Sequence, residues 1–159
     1  MQGCALVGST ETMAPVKEEA KSAGVKTIVS TSIKQPKVLI LIDNETTSIP
    51  VGRDLENAGF NVVELKKSLS GTLVSVMSEH PDLILLDFTM PIHMEPLLCR
   101  LIKRNRLVTK TPILLYSSLD KKKLNQLVVD CEAQGFIHKR WGAKHVLRNI
   151  NKFLTYYYH

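Results

Sequence analysis

This sequence of 159 residues contains no long apolar run and only three cysteines. No apolar stretch approaches the ~20 residues of a membrane-spanning helix, and the N-terminus lacks the basic-then-apolar pattern of a secretory signal. We therefore expect no membrane insertion. The odd number of cysteines without metal-ligand spacing predicts reduced thiols that serve packing in a cytoplasmic protein. These residues are Cys4, Cys99 and Cys131.

Positive charge is in excess but is not concentrated. Lys and Arg number 21 against 15 Asp and Glu, and they are scattered along the chain. The densest basic run, Lys121 to Lys123, is typical of a solvated helix face, and no aromatic residues are interleaved with it. We therefore do not expect a nucleic-acid partner.

Short aliphatic runs alternate with amphipathic segments through most of the chain. Strands are predicted at 38–42, 62–65, 83–86, 113–116 and 136–138. Helices are predicted at 50–58, 70–79, 95–105, 120–134 and 142–154, and glycines follow several of them. Because parallel strands are joined by right-handed crossovers, this alternation predicts an α/β fold. The expected architecture is a doubly wound five-stranded parallel sheet with helices on both faces.

The first 36 residues differ from the remainder. They contain an apolar start, a helical segment and a second apolar run, which is a strand, helix, strand pattern. Two interpretations stay open: a remnant of a second similar unit, or an N-terminal extension and linker. We expect one main domain over residues 37–155 and a short tail over residues 156–159.

Polar side chains follow the predicted strands where each strand ends. Asp43 and Asn44 follow the first, Asp87 the third, Ser117 the fourth and Lys139 the fifth. An Asp at a strand end can be only a turn residue, but in strand order 2-1-3-4-5 all of these positions converge on one crevice. Carboxylate and amide oxygens there suit Mg²⁺, and a hydroxyl and an ammonium suit a phosphoryl group. This predicts covalent capture of phosphate by the Asp87 carboxylate.

Four segments, in order and at the right spacing, resemble the receiver domain of two-component response regulators. The similarity covers about Lys37 to Leu154. It rests on Val38-Leu-Ile-Leu-Ile-Asp-Asn-Glu45, Asp87-Phe-Thr-Met-Pro91, Pro112-Ile-Leu-Leu-Tyr-Ser-Ser118 and Gly135-Phe-Ile-His-Lys-Arg-Trp141. The resemblance implies a CheY-like, flavodoxin-like fold and a role in phosphorelay signal transduction.

The resemblance also implies roles at the crevice. Asp87 would accept a phosphoryl group from a histidine kinase or a histidine phosphotransfer protein. Ser117 would hydrogen-bond that group, and Lys139 would pair with it. The Mg²⁺ cofactor would be held by Asp43, Asn44, Asp87 and the backbone carbonyl of Thr89.

Output would follow from a change at Phe136, which occupies the family's rotating aromatic position. By the resemblance, this residue would couple the site to the face formed by the fourth helix, the fifth strand and the fifth helix. That face would contact a downstream protein target, or a second copy of the chain in a homodimer.

Three features depart from the family pattern, one of which is that Ile92-His93-Met94-Glu95 lacks the usual glycine after the phosphoacceptor turn. Asn44 replaces the usual second acid, and since an amide oxygen carries no charge, we expect Mg²⁺ affinity to fall by about 10- to 100-fold. Arg140 replaces the proline that usually follows the lysine, so we expect a trans bond and a differently shaped loop.

Three functions follow from this pattern. The first is a receiver that is phosphorylated on Asp87 and signals through protein contact. The alternative is a degenerate receiver that acts as a phosphorylation-independent interaction module. An aspartyl-phosphate hydrolase would need another carboxylate two residues after its nucleophile, where Thr89 stands, so we do not expect an enzyme.

Overall fold

The structure is a computed structural model, and it describes residues 34–43, 50–88 and 95–158. Strands and helices alternate along these ranges. The strands are β1 Lys37–Ile42, β2 Asn61–Lys66, β3 Leu83–Phe88, β4 Ile113–Ser117 and β5 Gly135–His138. The helices are α1 Pro50–Asn57, α2 Leu69–Glu79, α3 Glu95–Arg104, α4 Lys121–Asp130 and α5 Ala143–Tyr158.

The strands pair in parallel in the order β2-β1-β3-β4-β5. This confirms the predicted doubly wound sheet. Among the helices of the described ranges, none combines the length and the apolar character needed to span a bilayer.

Helices cover the sheet on both faces because successive strand residues point to opposite sides. One set of strand side chains packs with α1 and α5, and we call this cluster the α1–α5 core: it includes Val38, Ile40, Leu55, Leu85 and Ile150. The other set packs with α2, α3 and α4 as the α2–α4 core, which includes Leu39, Ile84, Val76, Leu98 and Leu127. Burial on both faces explains why the central strands read as unbroken aliphatic runs. Each large side chain so buried contributes about 1.5–3 kcal/mol.

The helix ends were predicted with mixed success. Gly59, expected to end α1, has a φ of 91° that favours glycine. The prediction that α4 runs to Gln134 was wrong, since the helix ends at Asp130. The Gln134 N–H donates to the Ile113 carbonyl at 2.9 Å, and Gly135 pairs with Leu114 as the first residue of β5. The helix ends locally, where Glu132 has a φ of 52° and the Ala133 N–H donates to the Val128 carbonyl at 2.9 Å. Pairing with β4 then takes the backbone of Gln134 and Gly135.

The last helix is longer than predicted. It continues past Leu154 to Tyr158, so the expected tail is helical through Tyr158. No glycine or proline follows Leu154 to end the helix. Of the predicted N-terminal extension, residues 1–33 lie outside the described part, and residues 34–36 form neither helix nor strand.

Candidate functional site

The carboxyl ends of the central strands form one edge of the sheet. Phe88 of β3 pairs with Ser117 of β4, which pairs with His138 of β5. Lys139 comes next, and its N–H donates to the Ser117 carbonyl at 2.8 Å. This register places Lys139 beside the end of β4, and its side chain reaches across that strand to Asp87 near the end of β3.

Asp87 is fully buried at the penultimate position of β3. Its Oδ1 lies 2.5 Å from Nζ of Lys139, whose side chain is 24% exposed. Neither carboxylate oxygen accepts a hydrogen bond of good geometry from the described residues. We treat the short contact as an ion pair, because Coulomb attraction depends on distance more than on angle. A buried oxygen without a hydrogen bond is costly, so Asp87 keeps the capacity to engage a further group.

An aromatic ring also lies close to the Lys139 ammonium. Nζ lies 5.3 Å from the ring centroid of Tyr116 on β4, within the range of a cation–π interaction. Burial raises the pKa of the Tyr116 phenol, and the nearby negative charge of Asp87 raises it further. The neutral ring therefore helps to hold the ammonium beside Asp87.

A second ammonium, that of Lys67, lies in the same crevice. Lys67 directly follows β2, and its N–H donates to the Ile42 carbonyl at 2.8 Å, which extends the pairing with β1. Its Nζ lies 2.7 Å from Asp43 Oδ1 and 3.0 Å from Glu95 Oε1, and it donates to the Asp87 carbonyl at 2.8 Å. The Lys67 side chain is only 5% exposed. One buried side chain thus joins the ends of β1, β2 and β3 to the start of α3.

Two other predicted site residues lie near this edge but have different contacts. The fully buried Ser117 hydroxyl donates to the Phe88 carbonyl at 2.8 Å and accepts from the Leu119 N–H at 3.3 Å. The half-buried ring of Phe136 packs against the α2–α4 core and lies 6.0 Å from the ring of Trp141. Ser117 would have to rotate to reach a group on Asp87.

The crevice belongs to a domain whose family can be identified from the sequence. The model of the response regulator receiver domain matches residues 38–151. The chain belongs to the response regulator receiver family. Receivers are signalling modules rather than classical enzymes.

Similar proteins agree with this assignment. The DNA-binding dual master transcriptional regulator RpaA of Synechocystis sp. is 25% identical over 119 residues, which cover 75% of this chain and 49% of that protein. The receiver chain therefore spans about half the length of this curated relative.

Solved structures show the same fold. The chemotaxis response regulator CheY4 of Vibrio cholerae has a TM-score of 0.63 at 20% identity, with 74% of this chain and 98% of that chain covered. A receiver domain of a histidine kinase from Syntrophus aciditrophicus has a TM-score of 0.62 at 24% identity, covering 76% and 90%. At such identities the likeness concerns the fold alone.

Receiver domains generally bind Mg²⁺ at their acidic site, and the residue types here fit such an ion in part. Asp43 and Asp87 offer hard carboxylate oxygens, and those of Asp87 lack hydrogen bonds from described residues. Asp43, however, already pairs with the Lys67 ammonium. Within the ranges that the structure describes, no three His, Cys, Asp or Glu side chains are grouped to hold a metal. Asn44 and Thr89, the other predicted metal ligands, lie outside those ranges.

Our sequence reasoning missed Lys67 and Glu95 as members of the receiver's crevice. For Lys67 a signal was present: Val63 and Leu65 face the α2–α4 core, and the period of two puts Lys67 on the same buried face. The predicted strand 62–65 stops two residues before Lys67, so this signal was not used. Glu95 has no comparable local signal, because it opens a helix where an acid is ordinary.

Proposed function

We propose that this receiver accepts a phosphoryl group on Asp87 from a histidine kinase or a histidine phosphotransfer protein, and then signals through protein contact. One observation carries the proposal. The Asp87 carboxylate is fully buried, has a cation 2.5 Å from Oδ1, and has no hydrogen bond from described residues at Oδ2. Such a carboxylate can act as a nucleophile beside a fixed positive charge.

In the proposed step, an oxygen of Asp87 attacks the phosphorus of a phosphohistidine. The phosphorus–nitrogen bond breaks, and its electron pair returns to the imidazole nitrogen. Lys139 stays in place and pairs with the new phosphoryl oxygens in charge-assisted hydrogen bonds. Ser117 turns its hydroxyl from the Phe88 carbonyl toward the same group.

Asp43, Asn44, Asp87 and the Thr89 carbonyl would hold a Mg²⁺ ion. When bound, it would supply positive charge that neutralises the phosphoryl oxygens. The hard-oxygen character of these groups supports the assignment.

The proposed output surface is the face formed by α4, β5 and α5. A groove of about 880 Å³ lies there, lined by aromatic residues that include Phe136, Trp141, Phe153, Tyr156 and Tyr157. Phe136 packs against the core on one side and lines the groove on the other, which supports a coupling role. A coupling of about 1–3 kcal/mol would change affinity for a downstream protein, or for a second copy in a homodimer.

We extend the proposal to location and partners. A cytoplasmic site of action is supported by the free, buried thiols of Cys99 and Cys131. The scattered basic residues support an output without nucleic-acid contact by this domain.

Intact-mass measurement after incubation with acetyl phosphate and Mg²⁺ tests the central step. We expect a phosphate-sized mass gain in the wild type that Asp87→Asn abolishes. Asp120→Asn is the matched control: Asp120 lies just beyond the end of β4, but it is exposed and caps α4, a role that asparagine also fills. Absence of the gain in the wild type would contradict the proposal and leave the alternative, a phosphorylation-independent interaction module.

A further inference from the structure

The Lys67 ammonium has an oxygen partner for each of its three hydrogens. The partners are Asp43 Oδ1, Glu95 Oε1 and the Asp87 carbonyl, all within 3.0 Å. The bond from the Lys67 N–H to Ile42 fixes the backbone from which the side chain starts. Its position is therefore set by several strong contacts, and it is not a surface lysine with a chance neighbour.

The formal charge of the crevice indicates that Lys67 takes the place of a bound cation. Among the described residues, three carboxylates and two ammonium groups lie there, which leaves a formal charge of −1 from these groups. Without Lys67 the formal charge would be −2, which a divalent cation neutralises. Asp43, the acid that the family resemblance assigns to the metal, is also the acid closest to Lys67 Nζ.

We propose that the Lys67 ammonium is a built-in counter-cation that competes with Mg²⁺ for Asp43. It holds the crevice assembled without metal, and Mg²⁺ binds only when the lysine leaves Asp43. The importance of this competition for signalling rests on the proposed function. The competition itself is a property of the unphosphorylated chain.

Calorimetric titration with Mg²⁺ tests the competition directly. We expect Lys67→Met to bind Mg²⁺ at least about tenfold more tightly than the wild type, because one fixed positive charge has been removed beside the ion's ligand. Lys103→Met is the matched control. Lys103 is also partly buried, but it bonds the Thr111 carbonyl and Gln134 Oε1 at the opposite edge of the sheet. Its replacement should leave Mg²⁺ affinity unchanged.

A second measurement uses the wild type and does not depend on the folding of a variant. Acetylation of lysines by an amine-reactive reagent, mapped by peptide mass spectrometry, reports the accessibility of Nζ. We expect Mg²⁺ to raise the labelling of Lys67 several-fold and to leave that of Lys103 unchanged. If Lys67→Met does not fold, Lys67→Met with Glu95→Gln also removes one of the two carboxylates that Lys67 contacts, and this double variant can take its place in the titration.

Equal or weaker Mg²⁺ binding by Lys67→Met would overturn the inference. So would unchanged labelling of Lys67 at a Mg²⁺ concentration that saturates the wild type. If Asp87 were nevertheless phosphorylated, the proposed function would stand without the competition. Tighter Mg²⁺ binding by Lys67→Met, together with no phosphorylation of Asp87 in the wild type, would support the competition and contradict the proposed function.

Discussion

The Asp87 carboxylate is inaccessible to water, and its burial lowers the free energy of unfolding. Its burial is complete, and within the described ranges the Lys139 ammonium is the cation that contacts the carboxylate. Desolvation of a buried carboxylate commonly exceeds what one ion pair returns. Functional sites often retain such groups at the expense of stability.

We therefore predict that Asp87→Asn raises the free energy of unfolding by about 1 kcal/mol. The amide has nearly the same shape but no charge to desolvate, and the partly exposed Lys139 can turn toward solvent. Urea unfolding followed by circular dichroism measures the change. A decrease of similar size would mean that the ion pair is net stabilising.

Lys139→Met should have the opposite effect. It leaves Asp87 buried without its nearby cation, and we expect a loss of about 2 kcal/mol. This is below the range for a fully buried pair because Lys139 is 24% exposed. The same urea experiment measures it, and an unchanged midpoint would contradict an ion pair at this position.

At the scale of elements, the first turn of α2 is closed by two reciprocal hydrogen bonds. The Ser68 hydroxyl accepts from the Gly71 N–H at 3.2 Å, and the Ser68 N–H donates to the Thr72 hydroxyl at 2.8 Å. These contacts satisfy donors that a helix start leaves without intrahelical partners. They fix where α2 begins, directly after the lysine that enters the crevice.

Ser68→Ala is predicted to lower the free energy of unfolding by about 1 kcal/mol, because the capping oxygen is lost. Ser78→Ala is the control, since the exposed Ser78 hydroxyl bonds the Ser75 carbonyl within the same helix and does not cap it. Urea midpoints of both variants give the comparison. Equal effects of the two changes would show that the Ser68 cap contributes nothing specific.

The side chain that caps α4, Asp120, makes the free energy of unfolding depend on pH. The Lys123 N–H donates to Asp120 Oδ1 at 3.0 Å, and this hydrogen bond holds the pKa of Asp120 below its ordinary value of 3.8. A carboxyl whose pKa is lower in the folded state adds stability above the unfolded value, and that contribution is lost as pH falls through the folded pKa.

We expect the stability of the wild type relative to Asp120→Asn to be constant above about pH 5 and to fall below pH 3.8. Asparagine is the appropriate reference because it caps the helix but does not titrate. Chemical unfolding of both proteins across this pH window measures the difference. A relative stability that rises on acidification would contradict the assigned cap.

At the scale of the whole molecule, two thiols report on the integrity of one core. Cys99 on α3 and Cys131 after α4 are both fully buried in the α2–α4 core, which confirms the packing role predicted for them. A hydrogen bond with Cys131 raises the pKa of Cys99, and burial raises it further. Reaction with an alkylating reagent therefore requires the core to open.

We predict that alkylation of these two cysteines is at least about a thousandfold slower than in the unfolded chain, and that both rates increase together with urea. Peptide mass spectrometry separates them from Cys4. Fast labelling of Cys131 alone would show that the end of α4 opens locally.

Most of the fold was predictable because the pattern of apolar and polar residues within each element indicates which of its faces are buried. The aliphatic runs at Val38 and Leu83 indicate strands covered on both faces, and polar residues at their ends mark the crevice. Asp87 and Lys139 were placed together on that basis, and they lie in contact. Their roles in phosphoryl transfer stay predictions, as do those of Asn44 and Thr89.

By itself, the sequence determined the order of elements, the parallel sheet and the edge at which Asp43, Asp87 and Lys139 gather, since these follow from local periodicity and strand ends. Only the tertiary structure decided which charged side chains form ion pairs with each other. Lys67 pairs with Asp43 and Glu95, residues 24 positions before it and 28 after it in the chain. Likewise, Gln134 was predicted to be helical, but its N–H donates to the Ile113 carbonyl of the distant β4. Contacts between remote segments leave little local trace, because neither partner's immediate neighbours in sequence reveal the other.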